Sequence, residues 1–159
     1  QKPTVFENLT VFNNLELAMD GDKRVFPTLF AKMSAAELES LEIVLEKINL
    51  SSKSNVFAGS LSHGQKQWLE IGMLLMQNAQ LLLIDEPAAG MTHQEMDKTS
   101  DLLQVLKKEH TVVVVEHDMD FVRSLESPVT VLHQGSVLAE GSMDQIQNDP
   151  KVVEVYLGE

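Results

Sequence analysis

The sequence has no cysteine, no long apolar run and no excess of basic side chains. The absence of cysteine excludes a disulfide framework and a metal site built from thiolates. No apolar run approaches the roughly 20 residues that a membrane-spanning helix requires. The formal net charge of −12 argues against non-specific binding to nucleic acid or to an anionic lipid surface. The 159 residues suffice for one domain with a hydrophobic core.

A phosphate-binding loop is also missing from the sequence. Such a loop carries two glycines separated by four residues, followed at once by Lys and by Ser or Thr. Gly59 and Gly64 have this spacing, but Gln65 and Lys66 stand where the Lys and the hydroxyl residue are required. The chain by itself therefore offers no cradle for a nucleoside triphosphate.

The first half of the chain has the pattern of a helical unit. Apolar residues recur at helical spacing over residues 8–19. Ser34 and Glu37 form a capping box that opens a second helix. A third helix is predicted over about 63–77. We therefore expect an α-helical subdomain over residues 1–79.

The second half alternates between short apolar runs and helical segments. The aliphatic run 81–84 and the β-branched run 111–115 are typical of buried parallel strands. A capping box at Thr92–Glu95 opens the helix between them. Apolar residues on both sides of Gln134-Gly135 predict a hairpin. This order predicts an α/β layer over residues 80–159.

Two carboxylates, Asp85 and Glu86, follow the first of these strands directly. Burying a charge without a partner is costly, so a cation or a site that needs a base would explain the pair. Ligands of parallel sheets collect beyond the carboxyl ends of the strands, where one carboxylate can hold Mg²⁺ and another can deprotonate water. If strand geometry continues, the two side chains point in opposite directions. The alternative is a surface turn that begins before Pro87.

The stretch LSHGQ, residues 61–65, starts the third helix. Ser62 is a good N-cap, and Gln65 stands at the N3 position of a capping box. Gly64 leaves the first turn open to close approach. The free N–H groups and the positive dipole end of such a helix suit a phosphate. An ordinary capped helix is the alternative.

Glu116, His117 and Asp118 follow the β-branched strand. A histidine at the end of a buried strand can donate to a phosphate or relay a proton. The alternative is a histidine hydrogen-bonded to nearby backbone. The order of the features along the chain is more specific than any one of them.

In this order the three features resemble those of the ATP-binding subunit of ABC transporters. LSHGQ is similar to the signature motif, with His63 where glycine is commoner. LLLIDE, residues 81–86, resembles the Walker B motif with its catalytic glutamate, and His117 matches the switch histidine. Ala89-Gly90-Met91-Thr92 stands at the D-loop, which usually ends in Asp. Gln1 falls at the position of the Q-loop glutamine.

The resemblance implies a role for each of these residues. Asp85 would hold Mg²⁺, Glu86 would polarise water and His117 would contact the γ-phosphate of ATP. Gln1 would join the metal and nucleotide site and couple it to the membrane partner. The signature helix would face the phosphate held by a second ATP-binding subunit through Ser62, His63, Gly64 and Gln65. The implied fold is a partial P-loop NTPase sheet with helices, of the ABC ATPase kind, plus the helical subdomain.

Within the family, the resemblance is strongest to the importers of branched-chain amino acids and amides, and to the urea type in particular. The stretches LSHGQKQWLEIG, EPAAGMT, EHDMDFV, LHQGSVLAEGS and VVEVYLG carry it. It implies transmembrane permease subunits as partners and a peripheral position on the cytoplasmic face of a bacterial inner membrane. Phe6, Val11 and Phe12 are candidates for the permease contact, with helix packing as the alternative.

In the family the phosphate loop precedes the Q-loop, so the chain resembles the C-terminal portion of a longer ATPase. ATP and Mg²⁺ would both need that earlier segment. We expect ATPase activity of the parent protein and little activity of this chain alone. The missing strands would also leave apolar sheet edges open, and such edges invite dimerisation or strand swapping.

Two other functions are compatible with parts of the sequence. A catalytically inactive interaction fragment would keep the fold without hydrolysing ATP, and an activity measurement separates the two. A DNA-repair or chromosome-maintenance ATPase also has a signature helix, but such proteins insert long coiled coils before it and bind DNA. Here the helical segment is short, without sustained heptads, and the net charge has the wrong sign for DNA.

The isolated chain is expected to bind Mg-ATP weakly or not at all, because the groups that hold most of the triphosphate are not in the sequence. Calorimetric titration of the chain with Mg-ATP measures this affinity. A dissociation constant in the micromolar range would contradict the prediction.

Overall fold

The computed structural model of the protein describes residues 4–19 and 33–157, so Gln1 lies outside the described residues. Contacts divide the chain into two compact units, Gln1–Val115 and Glu116–Glu159. The predicted division into a helical part, residues 1–79, and an α/β part, residues 80–159, stays a prediction.

Helices in the first part of the N-terminal unit pack through their apolar faces. They are α1 (Val11–Ala18), α2 (Ala35–Lys47) and α3 (His63–Leu75). Each lies within a few residues of its predicted bounds, and the capping boxes predicted at Ser34 and Ser62 are present. The core of this part is buried and comprises Leu15, Leu41, Leu45, Ile48 and Leu69.

A buried asparagine fixes the start of α1. Asn14 is 0% exposed. Its side-chain amide donates to the carbonyls of Phe6 and Thr10 at 3.1 and 2.9 Å, and its Oδ1 accepts from the Phe6 N–H at 2.8 Å. These bonds offset the cost of burying a polar group and tie the preceding segment to the first turn.

A parallel pair of strands with a helix between them completes the N-terminal unit. The elements are β1 (Leu81–Asp85), α4 (His93–Leu106) and β2 (Thr111–Val115). The strands pair residue for residue, with Asp85 opposite Val115. Both strands therefore end at the same edge, and the prediction of parallel strands is confirmed.

Burial differs between the two faces of this strand pair. Leu82 and Ile84 are 1% and 7% exposed, whereas Leu83, Val113 and Val115 are 67%, 45% and 60% exposed. The prediction of strands that are buried on both faces is therefore wrong for the outer face. In the part of the chain that the structure describes, β1 and β2 pair only with each other, so they do not lie inside a wider sheet. Dimerisation through open edges stays a prediction.

The C-terminal unit is built on an antiparallel hairpin. β3 (Val129–His133) pairs with β4 (Ser136–Gly141), as predicted. Gln134 and Gly135 make the turn with φ of 48° and 77°. Positive φ at both positions is the mark of a type I′ turn, which matches the twist of the strands. The helical elements around the hairpin are α5 (Met119–Ser124), α6 (Met143–Gln147), α7 (Pro150–Val152) and a π-helical turn (Val153–Leu157).

A buried hydrogen bond joins α3 to α4. The Trp68 indole N–H donates to the Thr99 Oγ1 at 2.8 Å, and both residues are buried. The Thr99 hydroxyl in turn donates to the Glu95 carbonyl at 2.8 Å. Thr99 therefore acts as acceptor and donor at once, and the indole nitrogen of Trp68 faces α4.

Replacing Thr99 with Val should destabilise the chain by about 1–3 kcal/mol, because the indole N–H of Trp68 would stay buried without an acceptor. Thr130→Val is the matched control, since the Thr130 hydroxyl is bonded to Glu140 in an exposed position. We expect it to change stability by less than about 0.5 kcal/mol. Urea unfolding measures both, and equal effects of the two substitutions would contradict the prediction.

Candidate nucleotide site

The signature stretch forms a doubly capped helix start. The Ser62 Oγ accepts from the Gln65 N–H at 3.3 Å, and the Gln65 Oε1 accepts from the Ser62 N–H at 3.2 Å. The Gln65 Oε1 also accepts from the Lys53 Nζ at 2.9 Å. The predicted capping box is therefore confirmed. The role of these residues toward a nucleotide stays a prediction.

A carboxylate from α4 lies at this helix start. The Ser62 hydroxyl donates to the Glu95 Oε1 at 2.7 Å, and the Glu95 Oε2 accepts from the Thr92 N–H and hydroxyl at 3.0 and 2.9 Å. A Cβ on Gly64 would lie 2.9 Å from the Glu95 Cδ, so a larger residue at this position would require the Glu95 side chain to shift. The hydrogen bond from Ser62, and then that from the Thr92 amide, hold the pKa of Glu95 below its ordinary value.

The stretch that resembles the D-loop, residues 89–92, lies near the same helix start. Gly90 has φ of 68°, and a Cβ there would lie 3.7 Å from the Cδ2 of His63. Thr92 is the N-cap of α4, with its side chain accepting from the Glu95 N–H. Thr and Asp are both good N-caps. The departure from the family pattern at Thr92 therefore preserves the start of α4.

The strand β1 ends at Asp85, and the backbone then leaves the strand. Asp85 is exposed, and Glu86 adopts a left-handed conformation with φ of 46°. The Glu86 N–H donates to the Val115 carbonyl at 2.9 Å, and its carbonyl accepts from the Ala89 N–H at 3.1 Å. Strand geometry therefore does not continue through Glu86, and the expectation that the Asp85 and Glu86 side chains point in opposite directions loses its basis. A non-glycine residue in this region is strained, and such strain clusters at functional sites.

The donor set at the end of β1 fits a hydrated Mg²⁺ ion. Mg²⁺ usually takes one or two carboxylates and keeps several waters, and Asp85 offers an exposed carboxylate. Among residues 4–19 and 33–157, no three His, Asp or Glu side chains are grouped to enclose a metal. Asp85 could therefore hold a metal that is completed by phosphate and water, and an all-protein cage is not present in the described part.

The carboxylates on either side of His117 accept hydrogen bonds from backbone N–H groups. The Glu116 side chain is 1% exposed, and its Oε2 accepts from the N–H groups of His117 and Asp118 at 2.9 and 3.3 Å. The Asp118 Oδ1 accepts from the Phe121 N–H at 2.9 Å and so caps α5. The His117 side chain is 77% exposed. The Glu-His-Asp stretch thus turns its histidine toward solvent.

The predicted site residues fall into separate groups. Ser62, His63, Gly64 and Gln65 lie together at the start of α3, and Asp85 and Glu86 lie together at the end of β1, all in the N-terminal unit. His117 belongs to the C-terminal unit. The sequence did not reveal that Glu95 contacts the start of α3, because its place in the Thr92 capping box already accounted for a glutamate at this position.

Residues 1–89 match the model of the family described as "ABC transporter", and residues 136–159 match that of "Branched-chain amino acid ATP-binding cassette transporter". The first match spans more than half of the chain. The chain belongs to the ABC transporter family.

Relatives in this ABC family carry names of the branched-chain amino acid group. The chain is 37% identical to the high-affinity branched-chain amino acid transport ATP-binding protein BraF of Pseudomonas aeruginosa and 33% identical to LivG of Escherichia coli. In both cases the match covers 98% of this chain and 62% of the relative. The chain thus spans about 62% of the length of these relatives. The narrower resemblance to the urea type stays a prediction.

Solved ABC cassettes have the same fold. The ADP conformation of MJ1267, an ATP-binding cassette of an ABC transporter, superimposes with a TM-score of 0.74 at 32% identity, over 96% of this chain and 64% of that one. A dimeric post-hydrolysis state of the cassette MJ0796, bound to ADP and Pi, superimposes with a TM-score of 0.68 at 27% identity. The match covers 90% of this chain and 60% of that one. The expected fold, a partial ABC ATPase with a helical part, is confirmed. In the described part of this ABC chain, no helix combines the length and the apolar character needed to cross a bilayer.

Substitutions of the neighbouring residues Glu116 and His117 should have different effects on the free energy of unfolding. Glu116→Ala is expected to cost about 1–3 kcal/mol, because two backbone N–H groups lose a buried acceptor. His117→Ala should stay within about 0.5 kcal/mol, because the side chain is exposed. Urea unfolding compares them, and a larger loss for His117→Ala would show that the histidine has a structural role instead.

Proposed function

We propose that this chain is part of the ATP-hydrolysing subunit of an ABC importer, contributing its signature helix, Walker B strand and switch histidine. Family membership supports the proposal. The structural observation that carries it is the end of β1, where Asp85 is exposed and Glu86 is held in a left-handed turn by a hydrogen bond to Val115.

Each residue has a task that its position allows. Asp85 would hold Mg²⁺, which supplies charge neutralisation on the phosphates when bound. Glu86 would orient the attacking water and accept its proton. His117, exposed beyond β2, would donate a hydrogen bond to the γ-phosphate. In phosphoryl transfer to water, such positioning and charge stabilisation provide most of the rate enhancement.

The other half of the proposed site is the start of α3. Ser62 and Gly64 would face a phosphate held by a second ATP-binding subunit, with His63 and Gln65 beside them. Gln1 would join the site from its position before α1. The triphosphate would be held mainly by a phosphate loop that these 159 residues do not contain, so the chain alone is proposed to be inactive.

The transported substrate is proposed to be branched-chain amino acids. The names of the relatives BraF and LivG support this choice. Urea or another amide is the second candidate, favoured by the sequence stretches that resemble the urea type. Uptake of labelled leucine and of labelled urea, by cells with and without the subunit, separates the two substrates.

A contact with permease subunits is proposed on the helical part. Phe6 and Phe57 are 56% and 61% exposed, and Phe57 pairs with Thr10 in an isolated bridge beside α1. Val11 is 0% exposed, so helix packing explains that residue. The exposed aromatic side chains offer the apolar area that an interface needs.

Glu86→Gln, made in the subunit that contains this chain, should lower ATP turnover by roughly 10²–10⁴-fold, as loss of a general base does. Glu126→Gln is the matched control, because Glu126 also has a left-handed backbone, with φ of 47°, but lies in the C-terminal unit. Its turnover should stay near that of the wild type. Steady-state phosphate release measures both, and near-normal turnover of Glu86→Gln would remove Glu86 from its proposed role.

A further inference from the structure

The hydroxyl of Ser62 already donates a hydrogen bond within the chain. A serine hydroxyl has one hydrogen to donate, and here it goes to the Glu95 Oε1 at 2.7 Å. The oxygen also accepts from the Gln65 N–H. A phosphate oxygen could take this donor only if the bond to Glu95 were broken.

The carboxylate of Glu95 also brings negative charge to the start of α3. It lies against Gly64, where a Cβ would be 2.9 Å from both the Cδ and the Oε1. The N-terminus of a helix favours an anion, and here a side chain of the same unit supplies one. A phosphate approaching Ser62 and Gly64 would meet a like charge.

We infer that Glu95 is a positioning residue that acts through Ser62: its carboxylate holds the serine hydroxyl away from the phosphate, and the nucleotide must displace it before the signature helix can engage. This inference rests on the proposed function of the signature helix. The second carboxylate oxygen of Glu95 accepts hydrogen bonds from Thr92, which ends the stretch that resembles the D-loop. Displacement of the carboxylate would therefore be transmitted to that loop.

Glu95→Gln separates this role from helix capping. Gln is a favoured residue at the third position of a capping box, and this chain already uses it in the Ser62–Gln65 and Ser142–Gln145 boxes. The substitution removes the charge and keeps the shape. Glu37→Gln makes the same change in the Ser34–Glu37 box on α2 and is the matched control.

The variants are compared in the subunit that contains this chain, with Mg-ATP as the probe. One readout is the ATP concentration dependence of turnover. The other is Mg-ATP-dependent protection of the amides of residues 63–66 from hydrogen exchange. For Glu95→Gln we expect the half-saturating Mg-ATP concentration to fall about two- to fivefold in both readouts, the size of one exposed charge interaction, with kcat nearly unchanged. Glu37→Gln should match the wild type.

Two outcomes would overturn the inference. One is a Glu95→Gln variant that matches Glu37→Gln, which would mean that Glu95 serves only as a cap. The other is a half-saturating concentration that rises, which would mean that the carboxylate assists binding. Ser62→Ala tests the proposed function separately. If it leaves the half-saturating concentration and the amide protection unchanged, the signature helix does not bind the nucleotide and the proposed function itself fails at this point.

Discussion

The parallel pairing of β1 with β2 is the constraint on which the candidate site depends. Because Asp85 lies opposite Val115, both strands end at one edge and the chain must turn there twice. At the first turn, Glu86 is held by the carbonyl of Val115. A slip of the register by one residue would exchange the buried and exposed faces of a strand and move the carboxylate from the strand end.

The segments that follow β1 and β2 are each shaped by short-range polar contacts of their own. Glu86 takes a backbone conformation that costs free energy. After β2, the carboxylate of Glu116 binds the two following amides, and Asp118 caps α5. Charged residues near the strand ends thus divide into those that shape the backbone and those, such as Asp85 and His117, whose side chains stay exposed.

Local patterns predicted the elements well, because capping and periodicity act over a few residues. The boxes at Ser34, Ser62 and Thr92 were readable from spacing alone. The exposed face of β1 and β2 could not be predicted in this way, because the apolar composition of a strand does not reveal how many other strands or helices pack against it. The left-handed Glu86 also left no signal, since nothing in its side chain favours that conformation. The contact from Ser62 to Glu95 spans 33 positions and depends on how α3 meets α4.

The bond between Trp68 and Thr99 gives the molecule a built-in spectroscopic reporter. Trp68 is the single tryptophan of the 159 residues, and it lies on the seam between α3 and α4. Its indole is buried, so separation of the two helices would admit water and shift its fluorescence emission to longer wavelength. Light emitted by one side chain thus records the seam between the two helices without any added label.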